Sequence, residues 1–314
     1  MTDRPRGLTR AELLALGRGL LGGALGAALL LGGGARAQER TMQTRTIPSS
    51  GEALPVIGLG TWQTFDVGSD NAARGRLGEV VTALVEAGGS AVDSSPMYGT
   101  SEEVAGAVLA ELGLRPKAFI ATKVWTRGRE AGREQIERSM RLLRADRLDL
   151  LQIHNLVDWR VHLQTLRAMK AAGRIRHLGV THYTSSAYSE LEAVMRAEPL
   201  DFVQVNYSAE DRAAADRILP LAAERGMAVL VNLPFGGGGL LRRLRGRPLP
   251  DWAGEADCAS WAQLLLKFTL SHPAVTCVIP GTANPDHMRD NAGAGRGRGL
   301  DGAMRRRLIA ALEG

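Results

Sequence analysis

FIATKVWTRGREAGREQIERSMRLLRADRLDLLQIH, residues 119–154, is the stretch on which the fold turns. It opens with an extended apolar run (Phe119–Val124), continues through a helical pattern at Ile136–Leu143 and closes in a second apolar run, Leu148–His154. Strand, helix, strand is the unit of a parallel sheet, because parallel neighbours need a crossover of a dozen residues or more. A strand period of two puts Ala121 and Lys123 on one face, against Ile120, Thr122 and Val124 on the other. Gln152 and His154 likewise oppose Leu151 and Ile153. Apolar faces suit covering helices, so the faces carrying Lys123 and His154 should look inward.

The same alternation runs outward in both directions. Further candidate strands are Val56–Gly60, Ser90–Ser94, His177–Thr181, Phe202–Asn206, Ala228–Leu233 and Val275–Pro280. Helical patterns lie between them at Leu77–Ala87, Leu163–Ala172, Ser186–Arg196, Arg212–Arg225 and Trp261–Leu270. Gly88, Gly113, Gly173 and Gly226 each stand where a helix should stop before a strand begins. Eight strands alternating with helices predict an α/β fold, a closed (β/α)8 TIM barrel. The rival, an open doubly wound sheet, wants a Gly-rich turn after its first strand, and Gly58-Leu59-Gly60-Thr61-Trp62-Gln63 lacks the third small residue. Thr44–Val56, with its Ser-Gly turn, reads as a β-hairpin capping the barrel floor.

Composition narrows the function classes. The 314 residues leave no polar linker long enough to divide the mature chain, and one barrel over residues 38–314 is expected. The net charge is +6, of which residues 1–37 carry half, too little to argue for nucleic acid. Cys258 and Cys277, the two cysteines, exclude a disulfide scaffold, and the six histidines show no HExxH or other metal-ligand spacing, so no metal is expected. Residues 1–37 combine Arg4, Arg6 and Arg10, the uncharged run Gly19–Gly34 and the small-residue site Ala35-Arg36-Ala37. They read as a cleaved export signal, resembling the twin-arginine type with Ala11 in place of a second arginine. A periplasmic location, no membrane span after cleavage and a monomer are the expectations.

The chemistry gathers at the carboxyl ends of three consecutive strands, where barrel catalytic sites occur. There stand Asp93, Lys123 and His154, with Tyr98 in the loop five residues beyond Asp93. A lysine inside a barrel needs a partner, and Asp93 is the nearest carboxylate. A tyrosine beside that ammonium should have its pKa lowered and so donate a proton to a developing alkoxide near neutral pH.

These residues sit in segments that resemble the aldo-keto reductase family: GLGTW (58–62), VDSSPMYG (92–99), TKVW (122–125), LLQIHN (150–155), GVTHY (179–183), QVNYS (204–208) and IPGTANPDHMRDN (279–291). The resemblance spans residues 44–291 in the family's order. It implies a barrel that binds NADP(H), or NAD(H), extended across its carboxyl face and reduces aldehydes or ketones. The implied tetrad is Asp93, Tyr98, Lys123 and His154, with Tyr98 as general acid, Lys123 tuning it and His154 orienting the carbonyl oxygen. The implied cofactor track takes in Thr61, Trp62, Asp93, Thr181, His182, Gln204, Asn232, Leu233, Pro234, Gly236, Gly281, Thr282, Asn284, His287 and Asn291. Trp62 and Trp125 match positions at the substrate mouth, and the short chain after the last helix, Ala303–Leu312, implies an open site.

Three departures stand out. His182 replaces the more usual Asn, and Asn232 stands where an aromatic residue often stacks on the nicotinamide, leaving Phe235 as the nearest ring. Family members also often carry Lys or Arg after the eighth strand to grip the 2′-phosphate. Here Gly281, Asn284 and His287 occupy that stretch, with Arg289 the nearest cation. A barrel that holds the cofactor with negligible turnover is therefore an alternative, as is a hydrolase or isomerase with no nicotinamide.

Overall fold

A short antiparallel hairpin opens the described part of the chain, residues 41–313 of a computed structural model. The expected leader, residues 1–37, lies outside the described residues. The hairpin pairs β1 (Thr44–Thr46) with β2 (Ala53–Pro55), Arg45 opposite Leu54. Its Ile47 and Leu54 are fully buried and pack in one cluster with Ala91, Phe119, Leu150, Phe202, Ala228 and Cys277 from inside the barrel. Those residues lie at or near the amino ends of their strands, so the hairpin closes the floor, as its turn chemistry suggests.

Eight parallel strands follow in sequence order: β3 (Leu59–Gly60), β4 (Ala91–Asp93), β5 (Phe119–Val124), β6 (Leu148–His154), β7 (Ile175–His182), β8 (Phe202–Asn206), β9 (Ala228–Asn232) and β10 (Cys277–Val278). A parallel bridge between Ile57 and Val278 joins the last strand to the segment entering the first. Gly58 N donates to Val278 O at 2.9 Å and Val278 N to Val56 O at 2.9 Å, so the sheet closes on itself. This is the (β/α)8 barrel that the alternation predicts. The inward and outward faces also separate as the period of two requires. Ile120, Val124, Leu151 and Ile153 belong to the large outer core beneath the helices, whereas Ala121 and Leu150 belong to the inner one.

The connecting helices are α1 (Asn71–Glu86), α2 (Ser101–Glu111), α3 (Arg129–Leu142), α4 (Trp159–Ala171), α5 (Tyr188–Ala197), α6 (Ile218–Glu224), α7 (Gly239–Arg243), α8 (Trp261–Leu270), α9 (Pro285–Gly293) and α10 (Gly302–Glu313). Side-chain oxygens start four of them: Asp70 accepts from Ala73 N, Ser260 from Gln263 N, Asn284 from Asp286 N, and Asp301 from Ala303 N and Met304 N. The four stop glycines all have positive φ, a conformation that costs any residue with a Cβ. One expectation needs correction. The pattern at Arg212–Arg225 is not one helix but a 3-10 turn, Ala213–Ala215, followed by α6, which Pro220 enters at its third residue. A proline there is tolerated only within the first turn, so the helix begins late.

Candidate active site

The carboxyl end of β4 places Asp93 inside the barrel, and the loop that follows carries Tyr98. That loop is a tight one. Tyr98 N donates to Ser95 O at 3.0 Å, and Gly99 has φ +59°. A Cβ on Gly99 would lie 2.3 Å from the Asp66 carboxylate, which accepts from both Thr100 N and Thr100 Oγ1 at 2.8 Å. Gly99 thus lets the loop lie flat against Asp66 and hold Tyr98 at the mouth.

Lys123, from β5, is fully buried and donates to Asp93 Oδ2 and to Ser94 O, each at 2.7 Å. Its Nζ lies 5.2 Å from the centroid of the Tyr98 ring. Asp93 receives further donors from Gln204 Nε2 at 3.2 Å and Gln152 Nε2 at 3.4 Å. Gln152 also donates to Gln204 Oε1 at 2.8 Å, so four strands, β4, β5, β6 and β8, contribute to one polar network. His154, at the end of β6, meets the Tyr98 ring edge-on at 5.9 Å and shares a 2.9 Å hydrogen bond between Nδ1 and Ser95 Oγ. The structure therefore brings together all four residues singled out from the sequence.

Electrostatics corrects one expectation. Burial disfavours the Tyr98 phenolate more than the Lys123 ammonium favours it, so the phenol titrates above its ordinary range, not below. Burial also works against charge on Lys123, but Asp93 and Tyr98 outweigh it and its pKa rises. The site consequently pairs a protonated phenol with a firmly charged ammonium. Burial first, then Lys123 and His182, lower His154 to about 3 and keep the imidazole neutral. Below the ordinary histidine pKa of about 6.5, the unfolded chain takes up a proton that the folded site refuses. The stability this contributes is present above that pH and is lost as the pH falls from about 6.5 toward 3. The melting temperature of the unaltered protein is therefore expected to fall more steeply than that of His154→Gln between about pH 6.5 and 4, as followed by circular dichroism. Parallel curves would mean the imidazole is not held neutral.

Behind the tetrad, Glu102 of α2 is buried and accepts from Thr122 Oγ1 at 2.5 Å and Ser139 Oγ at 2.9 Å. Burial raises its carboxyl pKa. It ties α2 and α3 to β5 one residue from Lys123. Nothing in the residue pattern singles it out, because its two partners come from two other elements.

From the tetrad a cavity of about 660 Å³ runs across the carboxyl face toward α9. Thr61, Trp62, Asp93, Tyr98, Gln204, Asn232, Leu233, Pro234, Gly281, Thr282, His287 and Asn291 line it, as the resemblance implies. Lys123 and His154 sit behind that lining. Gly236 lies outside it, and Gly237 and Gly238 take its place. Thr181 is buried beside Gln204 in the β7–β8 register, while His182 turns its Nδ1 to Thr184 and stacks on Tyr183. Asn284 is spent on capping α9 and does not line the cavity. Phe235 does line it, although mostly buried.

Arg289 is not the cation nearest this cavity. It pairs with Asp286 at 2.7 Å and faces a different depression. The cavity's cations are Arg242, Arg245 and Arg247, from a stretch whose four arginines in eight residues, Leu240–Arg247, were the available signal. At the opposite rim, Trp62, Met97, Trp125 and Tyr183 are four of the five exposed large hydrophobic side chains among the described residues. All four stand on loops that follow barrel strands, but of them only Trp62 lines the cavity, and the predicted Trp125 does not. Left-handed backbone at Gln63, Asn155, Leu156 and Leu233 clusters on the same face, where strain commonly accompanies function.

Comparison with known proteins agrees with this architecture. The chain is 32% identical over 260 residues to the methylglyoxal reductase YeaE of Escherichia coli strain K12, covering 80% of this chain and 89% of that one. It is 29% identical over 235 residues to the aldo-keto reductase YhdN of Bacillus subtilis strain 168, covering 69% and 68%. An aldo/keto reductase from Klebsiella pneumoniae, solved in complex with NADP and acetate, superposes with a TM-score of 0.74 at 26% identity, over 86% of this chain and 95% of that one. The family profile described as Aldo/keto reductase family matches residues 56–301. With the barrel, the mouth and the sequence relationship in agreement, the chain belongs to the aldo/keto reductase family.

Proposed function

We propose that this protein reduces aldehyde or ketone carbonyls to alcohols with NADPH, and that Tyr98 is the proton donor. The observation that carries this is the buried Lys123–Asp93 pair set against a half-buried phenol at the mouth of the long cavity. The cavity suits an extended dinucleotide. It reaches from Asp93 and Tyr98 to His287 and Asn291, and the buried Oδ1 of Asn232 on its wall has no partner. Gly281 leaves room that a side chain would fill, since a Cβ there would come within 3.1 Å of Gly60 O. Two aldo/keto reductases from Klebsiella pneumoniae, 26% and 27% identical, were solved with NADP and with NADPH, which supports the same nucleotide here.

Gln204, Asn232, Thr181 and His182 would hold the nicotinamide amide, with Gly237 offering its backbone N–H to phosphate, since that of Gly238 is donated to Phe235 O. Bound NADPH supplies the hydride that a carbonyl carbon accepts. The protein's part is to steady the oxygen and deliver a proton to it. Tyr98 Oη gives up that proton as negative charge builds on the oxygen, and the Lys123 ammonium stabilises the phenolate left behind. Asp93 and Ser94 O hold the ammonium in place. With the Ser95 hydroxyl as donor in its hydrogen bond to Nδ1, His154 would carry the Nε2–H tautomer, the one that can donate to a carbonyl oxygen.

The exposed apolar rim suits aldehydes or ketones with an apolar body. Residues 1–37, read from composition alone, would send this activity to the periplasm. The direct test is loss of nicotinamide absorbance when purified protein, NADPH and an activated aldehyde are mixed. Steady turnover is expected, with alcohol formed in equal amount. Nucleotide binding with no turnover would replace the enzyme reading with that of a binding barrel.

A further inference from the structure

The cavity's charge is lopsided. Its strand-eight wall offers Gly281, Thr282, His287, Asp290 and Asn291, with no permanent cation among them. The Asp290 carboxylate already accepts from Ser260 Oγ and Gln263 Nε2, each at 2.7 Å. The facing wall is Leu240–Arg247, where Leu240 and Leu244 are buried as anchors. Trp261 Nε1 donates to Arg247 O at 3.0 Å and ties this segment to α8.

Within the segment the arginines divide by direction. Arg243 points away from the cavity and pairs with Glu210 at 2.6 Å. Arg242, Arg245 and Arg247 line the cavity, and no carboxylate among the described residues pairs with them. Arg247 alone has a side-chain contact, a 3.2 Å hydrogen bond to Ala311 O. Three arginines lining one cavity, with no partner carboxylate among the described residues, match a phosphate monoester, which carries nearly two negative charges and presents several oxygens to planar donors. Gly237 and Gly238 come earlier along the same wall, nearer the β9 end, where the Gly237 N–H suits a pyrophosphate.

We propose that Arg242, Arg245 and Arg247 grip the 2′-phosphate of NADP(H), in place of cations after the eighth strand, and thereby set the preference for NADP(H) over NAD(H). This rests on the reading of the cavity as a dinucleotide site. All three side chains are exposed, so their removal does not threaten folding.

The test is a pair of binding titrations on the full chain. NADPH and NADH are followed by fluorescence, and 2′,5′-ADP and ADP by calorimetry. The unaltered protein is expected to prefer each 2′-phosphorylated member by about tenfold or more. In R242A/R245A/R247A that margin should collapse through lost affinity for NADPH and 2′,5′-ADP, with NADH affinity unchanged. Arg243→Ala should keep the full margin. A margin that survives the triple substitution, or that is absent from the unaltered chain, overturns the assignment. Survival because NADPH and NADH affinities fall in step would place the arginines on the pyrophosphate, and each of these results leaves the dinucleotide reading standing. Binding of neither nucleotide to the unaltered protein would overturn both.

Discussion

Tyr98→Phe should lower turnover of an activated aldehyde by about 10²–10⁴-fold, with NADPH affinity nearly unchanged. Phenylalanine keeps the ring that meets His154 edge-on and that lies beside Lys123, and it removes only the hydroxyl. The loss should therefore fall on kcat and leave nucleotide binding alone. The direction of the Tyr98 shift adds a second reading. Because burial holds the phenol above its ordinary range, the acid stays loaded through neutral pH. Reduction by the unaltered protein should be flat from about pH 6 to 8 and decline only at alkaline pH, as the phenol ionises. A variant that reduces aldehydes at the original rate would remove Tyr98 from the mechanism.

Lys123→Met should destabilise the protein by about 3–5 kcal/mol, because it strands the Asp93 carboxylate inside the barrel. Gln152 and Gln204 would remain as donors, but neither carries the charge that offsets burial. For a chain of this size the melting temperature should drop by roughly 6–20 °C. The companion variant, K123M/D93L, separates stability from chemistry. Removing both charges should recover much of the lost stability while turnover stays near the level of the single variant. A single variant that melts with the unaltered protein would mean that Asp93 and Lys123 are not paired in solution.

Much of the barrel is legible from local pattern. β5, β6 and β8 begin and end where the apolar runs do, because buried parallel strands show as continuous apolar segments bounded by turn residues. The shortest strands, β3 and β10, are only two residues long in the structure, against five and six in the sequence reading. Their residues continue as backbone pairs across the closure, outside the regular ladder. The four polar residues of the candidate site were legible for a similar reason. Strand period and strand order together force Asp93, Lys123 and His154 to one end of one interior, whatever the loops do.

The pairing of charged and polar side chains is where local pattern fell short. Arg289 is adjacent in sequence to the strand-eight motif, yet Asp286, three residues earlier on the same helix turn, claims it. Arg242 and Arg245 are far from that motif in sequence, yet they face the same cavity. Glu102 and Gln152 took their places in the polar network through partners on other elements.

From its order of residues alone, this chain determined an eight-fold strand–helix repeat, a floor hairpin, and four polar side chains at one end of the interior. Periodicity and capping act over a few residues, so those features needed nothing from distant parts of the molecule. Only the tertiary structure decided the protonation of Tyr98, the neutrality of His154 and the location of the cavity's positive charge. Each depends on burial and on neighbours brought together by closure of the barrel, and desolvation outweighs the nearby ammonium only once that closure has excluded water.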